Sequence, residues 1–125
     1  MSCVISSPST DSGKTTLSLL ISSWAFSKGI KMQTFKVGPD YLDQQQLSSI
    51  GQPFCRNLDV FLSGEKWVQE NFFKNSLKYE FSLIEGAMGL FDGLGATSYS
   101  STANVAKLLN TPIIFIVNAL SLIHI

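Results

Sequence analysis

Arginine, histidine and cysteine are scarce in this 125-residue sequence, which contains a single arginine, Arg56, a single histidine, His124, and two cysteines. The lone arginine excludes an arginine-rich recognition surface. Charged residues make up only 14% of the chain, and nine basic residues balance nine acidic ones. A net charge of zero gives no support for nucleic acid or an acidic membrane as a partner. Hydrophobic residues reach 45%, which is enough for a buried core.

The two cysteines, Cys3 and Cys55, lack a metal-binding spacing. Cys3 lies in an apolar run typical of a central strand, so we expect both to be buried free thiols in a reducing compartment, the cytoplasm. The opening residues, MSCVISSPST, lack the basic region and long apolar stretch of a signal peptide. No uncharged apolar run reaches the roughly 18 residues of a transmembrane helix, so no membrane association is expected.

Segments typical of strands alternate along the chain with segments typical of helices. Residues 3–6 predict a strand, and residues 14–28 predict a helix. Gly29 follows at the C′ position, just after the helix end, where glycine is common. One face of that helix repeats with the helical period and is expected to enter the core: Leu17, Leu20, Ile21 and Trp24.

Strands separated by helices predict an α/β fold with a parallel sheet and flanking helices. The apolar run TPIIFIVNA is typical of a strand covered on both faces. Residues 38–63 form a long connector, and such connectors tend to be functional. The remaining predictions are strands at residues 31–37 and 81–85, a helix at residues 64–74 capped by Ser63, and a helix that Ser101 or Thr102 caps and that runs through Leu109.

The stretch SSPSTDSGKTT ends like a phosphate-binding loop, because Gly13, Lys14 and Thr15 follow a short strand and open a helix. Backbone N–H groups at such a helix start attract phosphate oxygens. Lys14 is expected at the β- and γ-phosphates of ATP, and the Thr15 hydroxyl at Mg²⁺. The alternative is that Gly-Lys-Thr occurs at this helix start by chance, because Pro8 replaces the first glycine of the usual pattern. The residues expected to bind the nucleotide are Ser9, Thr10, Asp11, Ser12, Gly13, Lys14, Thr15 and Thr16.

Asp11 occupies a position where a glycine is expected. Aspartate tolerates a left-handed backbone better than most residues, so the loop can form. Its negative charge next to phosphates predicts weaker nucleotide binding than glycine would give.

Carboxylates follow two of the predicted strands: Asp40 and Asp43 in FKVGPDYLD, and Glu85 and Asp92 in EGAMGLFDG. Ligands of open α/β sheets bind at the carboxyl ends of strands, and Mg²⁺ prefers one or two carboxylates together with phosphate oxygens. Turn formation explains Asp40 and Asp92 equally well, and helix capping explains Asp43. Glu85 needs a partner or a metal, because it ends an apolar strand.

Lys36 lies next to a strand end and is expected to pair with one of these carboxylates or to bind a substrate carboxylate. Gly86, Gly89, Gly93 and Gly95 predict either a flexible connection or a backbone that passes close to a ligand. Ser100 and Ser101 offer hydroxyls to a substrate, although capping accounts for Ser101 equally well.

Taken together, four blocks resemble the N-terminal part of the cobyrinic acid a,c-diamide synthase family, in that family's order: SPSTDSGKTTLSLL, FKVGPDYLD, EGAMGLFDG and STANVAKLLNTPIIFIVNA. RNLD, residues 56–59, also matches a family stretch. The resemblance implies a P-loop NTPase-like fold. It also implies an ATP- and Mg²⁺-dependent ligase that amidates the a and c carboxylates of cobyrinic or hydrogenobyrinic acid through acyl phosphates. Asp11, Asn118 and QQQL after Asp43 depart from the family pattern.

The resemblance also assigns roles to individual residues. Thr15, Glu85 and Asp40 are implied as metal ligands. Lys14, Asp40, Asp43, Glu85 and Asp92 are implied at the reacting centre, and Tyr41 and Leu42 toward the corrinoid substrate. Lys36, Ser100 and Ser101 are further candidates for binding that substrate, on their own chemistry.

Family members usually carry a glutaminase domain that supplies ammonia. We therefore expect residues 1–119 to be part of the ligase domain, without the glutaminase domain and truncated after a fourth strand. Residues 120–125 resemble a non-native tail. This fragment alone is then expected to be inactive, and a homodimer is left open.

Three other functions stay open at this point. A related ligase acts on nickel sirohydrochlorin, and a dethiobiotin-synthetase-like enzyme activates a different acid on the same fold. A ParA-like ATPase switch would bind a protein partner, but Ser7, Pro8 and Ser9 replace the early lysine of that class.

Overall fold

The computed structural model describes residues 1–10, 13–38, 48, 53–95 and 97–118. This part of the chain contains both strands and helices, as the sequence pattern predicts. In chain order the elements are β1 (Ser2–Ser6), α1 (Lys14–Ser27), β2 (Met32–Val37), β3 (Arg56–Leu58), α2 (Val60–Ser63), α3 (Glu65–Ser76), β4 (Phe81–Glu85), α4 (Thr102–Leu109) and β5 (Ile113–Phe115).

The strands form one parallel sheet in the order β3-β2-β4-β1-β5, which confirms the predicted α/β fold. Ile5 of β1 and Lys36 of β2 are both register partners of Glu85, the last residue of β4. Because all strands run the same way, their carboxyl ends and the loops that follow lie at one edge of the sheet.

Two hydrophobic clusters cover the two faces of the sheet. Val4 and Ile84 pack with α3 and α4 on one face, whereas Ile5 and Leu83 pack with α1 on the other. The alternation of inward positions along β1 and β4 is the normal consequence of the two-residue repeat of a strand. Apolar residues on both sides of these central strands therefore bury the sheet between helices.

The face of α1 that enters the core differs from the one predicted. Leu17 and Ile21 do pack against the cluster, but Leu20 and Trp24 are 62% and 57% exposed, so their predicted burial is wrong. The buried stripe consists of Lys14, Ser18, Ser22 and Ala25. This stripe repeats with the helical period and begins at Lys14, whose side chain turns into the loop between β1 and α1. The two serines and the alanine are small, which allows α1 to lie close to the sheet.

The end of α1 matches the prediction. Gly29 has a left-handed φ of 73°, its N–H donates to the carbonyl oxygen of Phe26, and the Ile30 N–H donates to that of Ala25. Glycine adopts this conformation without steric cost, which allows the chain to turn directly into β2.

In its described part, the long connector predicted at residues 38–63 contains the short elements β3 and α2. Three residues are too few to show a strand period, so local pattern could not reveal β3. Ser63 ends α2, and Gly64 rather than Ser63 precedes α3, which corrects the predicted cap.

β5 is an edge strand, and the prediction of a strand covered on both faces is wrong for the described residues. It pairs with β1, and Ile113, Ile114 and Phe115 are 38–46% exposed. An apolar run indicates a strand but does not say which neighbours the strand will have.

Both cysteines are free and buried, as predicted. Burial raises the pKa of the Cys3 thiol. None of the described helices combines the length and the apolar character needed to cross a membrane.

The location of the core is testable with two leucine substitutions. Leu83→Ala removes a side chain that is 1% exposed, and we expect it to lower the free energy of unfolding by about 2–5 kcal/mol. Leu20→Ala makes the same chemical change at an exposed site and is expected to cost less than about 1 kcal/mol. Urea unfolding measures both, and equal losses would contradict the assignment of the α1 faces.

Candidate active site

Lys14 begins α1, directly after Gly13, whose left-handed φ of 94° turns the chain into the helix. The lysine side chain is nearly buried, with 6% of the residue exposed. Its Nζ donates to Ser7 Oγ at 2.9 Å, to the Ser9 carbonyl oxygen at 3.1 Å and to the Met88 carbonyl oxygen at 2.8 Å. The ammonium group is therefore held between the β1–α1 loop and the loop that follows β4.

The loop after β4 packs directly on the β1–α1 loop. Leu90 N–H donates to the Ser7 carbonyl oxygen at 2.9 Å. A Cβ on Gly89 would overlap the Pro8 carbonyl oxygen and lie 2.8 Å from Asp92 Oδ2, so this position requires glycine. At Gly89 the loop packs closely on the backbone of the β1–α1 loop, which argues against a merely flexible connection, whereas a ligand beside this backbone stays a prediction.

Thr15 and Glu85 meet as the sequence predicts for a magnesium site. Thr15 Oγ1 donates to Glu85 Oε1 at 2.5 Å, and Glu85 is 1% exposed. Both oxygens are hard ligands of the kind that Mg²⁺ uses beside phosphate groups. Among the described residues no group of three or more His, Cys, Asp or Glu side chains could hold a metal.

Lys36 provides a positive charge beside this buried carboxylate. Its Nζ lies 3.8 Å from Glu85 Oε1 and donates to the Gly86 carbonyl oxygen at 2.8 Å, and the residue is 2% exposed. The contact follows from strand register, because Lys36 of β2 pairs with Glu85 of β4. Of the two roles predicted for Lys36, the structure shows the pairing with a carboxylate. Its role toward a substrate stays a prediction.

Asp92 lies in the loop after β4 and is exposed. Its Oδ2 accepts a hydrogen bond from Gly89 N–H at 2.8 Å, which shows the turn-forming role that the sequence allows. Asp92 also lines a cavity of about 350 Å³ together with Asp59. Asp59 was not among the site residues predicted from the sequence. Asp59 Oδ1 accepts from Leu62 N–H at 3.2 Å and caps α2. Its place in the RNLD stretch was the one signal that could have revealed it.

Ser100 and Ser101 have different environments. Ser101 Oγ accepts from Asn104 N–H at 3.1 Å and caps α4, and the residue is 1% exposed. Ser100 has a left-handed φ of 65° and lines the same cavity as Asp92. Its Oγ is buried without a hydrogen-bond partner in the described part of the chain. Thr102 Oγ1 accepts from Ala87 N–H at 3.0 Å and attaches α4 to the end of β4.

The other predicted site residues are only partly described. Ser9 donates from Oγ to the Thr10 carbonyl oxygen at 3.3 Å, and Thr16 is exposed in the first turn of α1. The rest of the predicted set lies outside the described residues: Asp11, Ser12, Asp40, Tyr41, Leu42 and Asp43.

Curated proteins with similar sequences share one name. The cobyrinate a,c-diamide synthase of Synechocystis sp. is 47% identical over 122 residues, which is 94% of this chain and 25% of the relative. Those of Caldanaerobacter subterraneus and Syntrophotalea carbinolica are 44% identical over 110 residues and 42% identical over 123 residues. This chain matches the N-terminal part of the cobyrinate a,c-diamide synthases. No protein-family model matches the chain.

The similarity to the cobyrinate a,c-diamide synthases confirms the resemblance seen in the four sequence blocks. It covers 88% of the chain in the Caldanaerobacter protein and 95% in the Syntrophotalea protein. The chain spans about a quarter of the length of these relatives.

The importance of the buried ion pair can be measured with a double-mutant cycle. We expect Lys36→Met and Glu85→Gln to show a coupling energy above about 1 kcal/mol, because each single change leaves the other buried group without its charge partner. The exposed i,i+4 pair Lys66–Glu70, with 4.0 Å between Nζ and Oε1, is the matched control. Its cycle, Lys66→Met with Glu70→Gln, is expected to give less than about 0.5 kcal/mol. Equal coupling in both cycles would contradict a special role for Lys36.

Proposed function

We propose that the protein is an ATP-dependent ligase that amidates the a and c carboxylates of cobyrinate or hydrogenobyrinate in cobalamin biosynthesis. The observation that carries the proposal is the 2.5 Å contact between Thr15 Oγ1 and Glu85 Oε1, beside the buried Lys14 at the start of α1. The sequence similarity to cobyrinate a,c-diamide synthases supports the choice of substrate.

The described residues fit MgATP. Gly13 opens α1 without a side-chain cap, and the first turn of the helix has no acidic residue, so the positive end of the helix dipole can face an anion. Lys14 would hold the β- and γ-phosphate oxygens, and Thr15 and Glu85 would hold Mg²⁺. Asp40 is a further proposed metal ligand, and Ser9 and Thr10 are proposed to line the phosphates. Bound Mg²⁺ would neutralise charge on the phosphates.

In the proposed reaction, a carboxylate oxygen of the macrocycle attacks the γ-phosphorus and ADP leaves, which gives an acyl phosphate. Ammonia then attacks the acyl carbon, the attacking nitrogen loses a proton, and phosphate leaves, which gives the amide. Catalysis of such a transfer consists mainly of positioning and charge neutralisation. In this chain Lys14 would supply positive charge, Glu85 would orient the metal, and Lys36 would hold Glu85 in place. Asp92 and Asp43 are proposed near the reacting carboxylate.

Ammonia is proposed to come from glutamine through a separate glutaminase domain of the protein. Neither Cys3 nor Cys55 is suited to glutamine hydrolysis, because both are buried and burial raises the pKa of Cys3, which disfavours the reactive thiolate. Two buried free thiols support the proposed cytoplasmic location.

Amide formation with free ammonia tests the proposal. The full-length protein is incubated with ATP, Mg²⁺, ammonia and cobyrinate, and products are analysed by mass. We expect amides without glutamine. Lys14→Met is expected to abolish them, and Glu85→Gln is expected to weaken Mg²⁺-dependent ATP binding by more than about tenfold, or about 1.4 kcal/mol.

The matched controls for the amidation assay are Lys31→Met and Glu80→Gln, which change exposed residues at the opposite ends of β2 and β4. Both are expected to behave like the unmodified protein. ATP turnover that requires a protein partner and yields no amide would refute the ligase and favour an ATPase switch.

Asp11 gives a separate prediction about affinity. The substitution Asp11→Gly removes a negative charge next to the proposed phosphates, so we expect ATP to bind several-fold more tightly. Calorimetric titration at fixed Mg²⁺ concentration measures the change. Unchanged or weaker ATP binding would show that this carboxylate does not oppose the nucleotide.

A further inference from the structure

The cavity of about 350 Å³ lies at the carboxyl ends of β2 and β4, where Val37 and Ala87 form part of its wall. Its sides are α2 and the loop after β4. The large side chains that line it are apolar: Phe61, Leu62, Met88 and Leu94. No basic side chain is present among the described residues that line it.

We propose that this cavity binds an uncharged, apolar edge of the macrocyclic substrate, with Phe61 and Leu62 as the residues that determine recognition of the ring. This inference rests on the proposed ligase function and names a binding site within it. The carboxylate to be activated would then extend from the cavity toward the site formed by Lys14, Thr15 and Glu85.

The cavity adjoins the candidate active site through a shared wall. Met88 lines the cavity, and its carbonyl oxygen accepts the 2.8 Å hydrogen bond from Lys14 Nζ. Asp92 lines the cavity as well and accepts from Gly89, the residue that packs on the phosphate loop. A molecule bound in the cavity therefore lies beside the lysine proposed to hold the transferred phosphate.

The charges of the lining select the part of the substrate that can enter. Cobyrinate carries many carboxylates around a largely apolar ring. Asp59 and Asp92 both line the cavity, and their negative charges would repel a carboxylate at close range. The uncharged edge of the ring with its methyl groups meets no such repulsion, so the ring is directed inward and the carboxylates outward.

Two exposed apolar side chains form the rim of the cavity. Phe61 and Leu62 are 57% and 68% exposed on α2, whose first turn is held by the Asp59 cap. An apolar rim gains free energy when a flat apolar surface covers it, because apolar area is removed from water. The cavity is too small for a whole corrin macrocycle, so the ring must lie partly across this rim.

Ser100 supplies a polar group within the apolar wall. Its hydroxyl oxygen is buried without a partner in the described part of the chain, and its φ of 65° is unusual for a residue other than glycine. A buried hydroxyl without a partner is unfavourable, and an uncharged polar group on the bound ring would provide one without the repulsion that a carboxylate meets from Asp59 and Asp92. Strained residues of this kind are concentrated at ligand sites.

The test compares matched substitutions in the full-length protein. Phe61→Ser and Leu62→Ser change the rim, and Phe26→Ser and Leu20→Ser make the same changes at α1 residues that are 53% and 62% exposed. Calorimetry measures the affinity for cobyrinate, for its a,c-diamide and for MgATP. We expect the two rim variants to bind both macrocycles at least about fivefold more weakly, with MgATP affinity unchanged, and the controls to bind all three normally.

Ser100→Gly gives an independent readout, because glycine accepts the left-handed backbone and should not destabilise the fold. We expect weaker macrocycle binding with an unchanged unfolding midpoint. Rim variants that bind the macrocycles normally while the unmodified protein still forms amides would overturn the cavity assignment alone. Weaker MgATP binding in Phe61→Ser would overturn it too, because the cavity would then hold the nucleotide. An unmodified protein that forms no amide would instead refute the proposed function.

Discussion

A buried carboxylate at the end of the central strand is the constraint on which the site depends. Glu85 is almost fully enclosed, so its charge requires compensation inside the protein. Lys36 and Thr15 provide this compensation from two different elements, β2 and α1. Glu85 therefore contacts both elements. One side chain thus helps to fix the register of β2 against β4 and the position of the first turn of α1 over the sheet.

The same constraint explains why two loops form one unit. Lys14, one residue before Thr15, turns inward and donates to the carbonyl oxygen of Met88. Gly89 then allows the loop after β4 to lie against Pro8. A site built this way has little freedom to rearrange one loop without the other. Met88 connects the two regions, because its carbonyl oxygen accepts from Lys14 and the residue lines the cavity.

The sequence predicted that Thr15 and Glu85 lie together, but it predicted the packing around them less well. The pairing of Thr15 with Glu85 follows from a loop motif and a strand-end carboxylate, because parallel strands bring their carboxyl ends to one edge. The predicted burial of Leu20 and Trp24 was wrong. Periodicity identifies an apolar face of α1, but it does not reveal that the inward side chain of Lys14 fixes how the helix is rotated against the sheet. β3 was missed because three residues carry no period, and the cavity because its walls come from distant segments.

The α/β class, the parallel sheet, the β1–α1 loop that opens on Lys14 and the place of Glu85 at a strand end were determined by the sequence itself, since each depends on local pattern and chain direction. Only the tertiary structure decided that Lys36 faces Glu85, that Asp59 and Ser100 line one cavity with Asp92, and that β5 lies at an edge. These relations depend on which distant segments pack together, and that choice follows from the burial and charge compensation of the whole fold rather than from any single stretch.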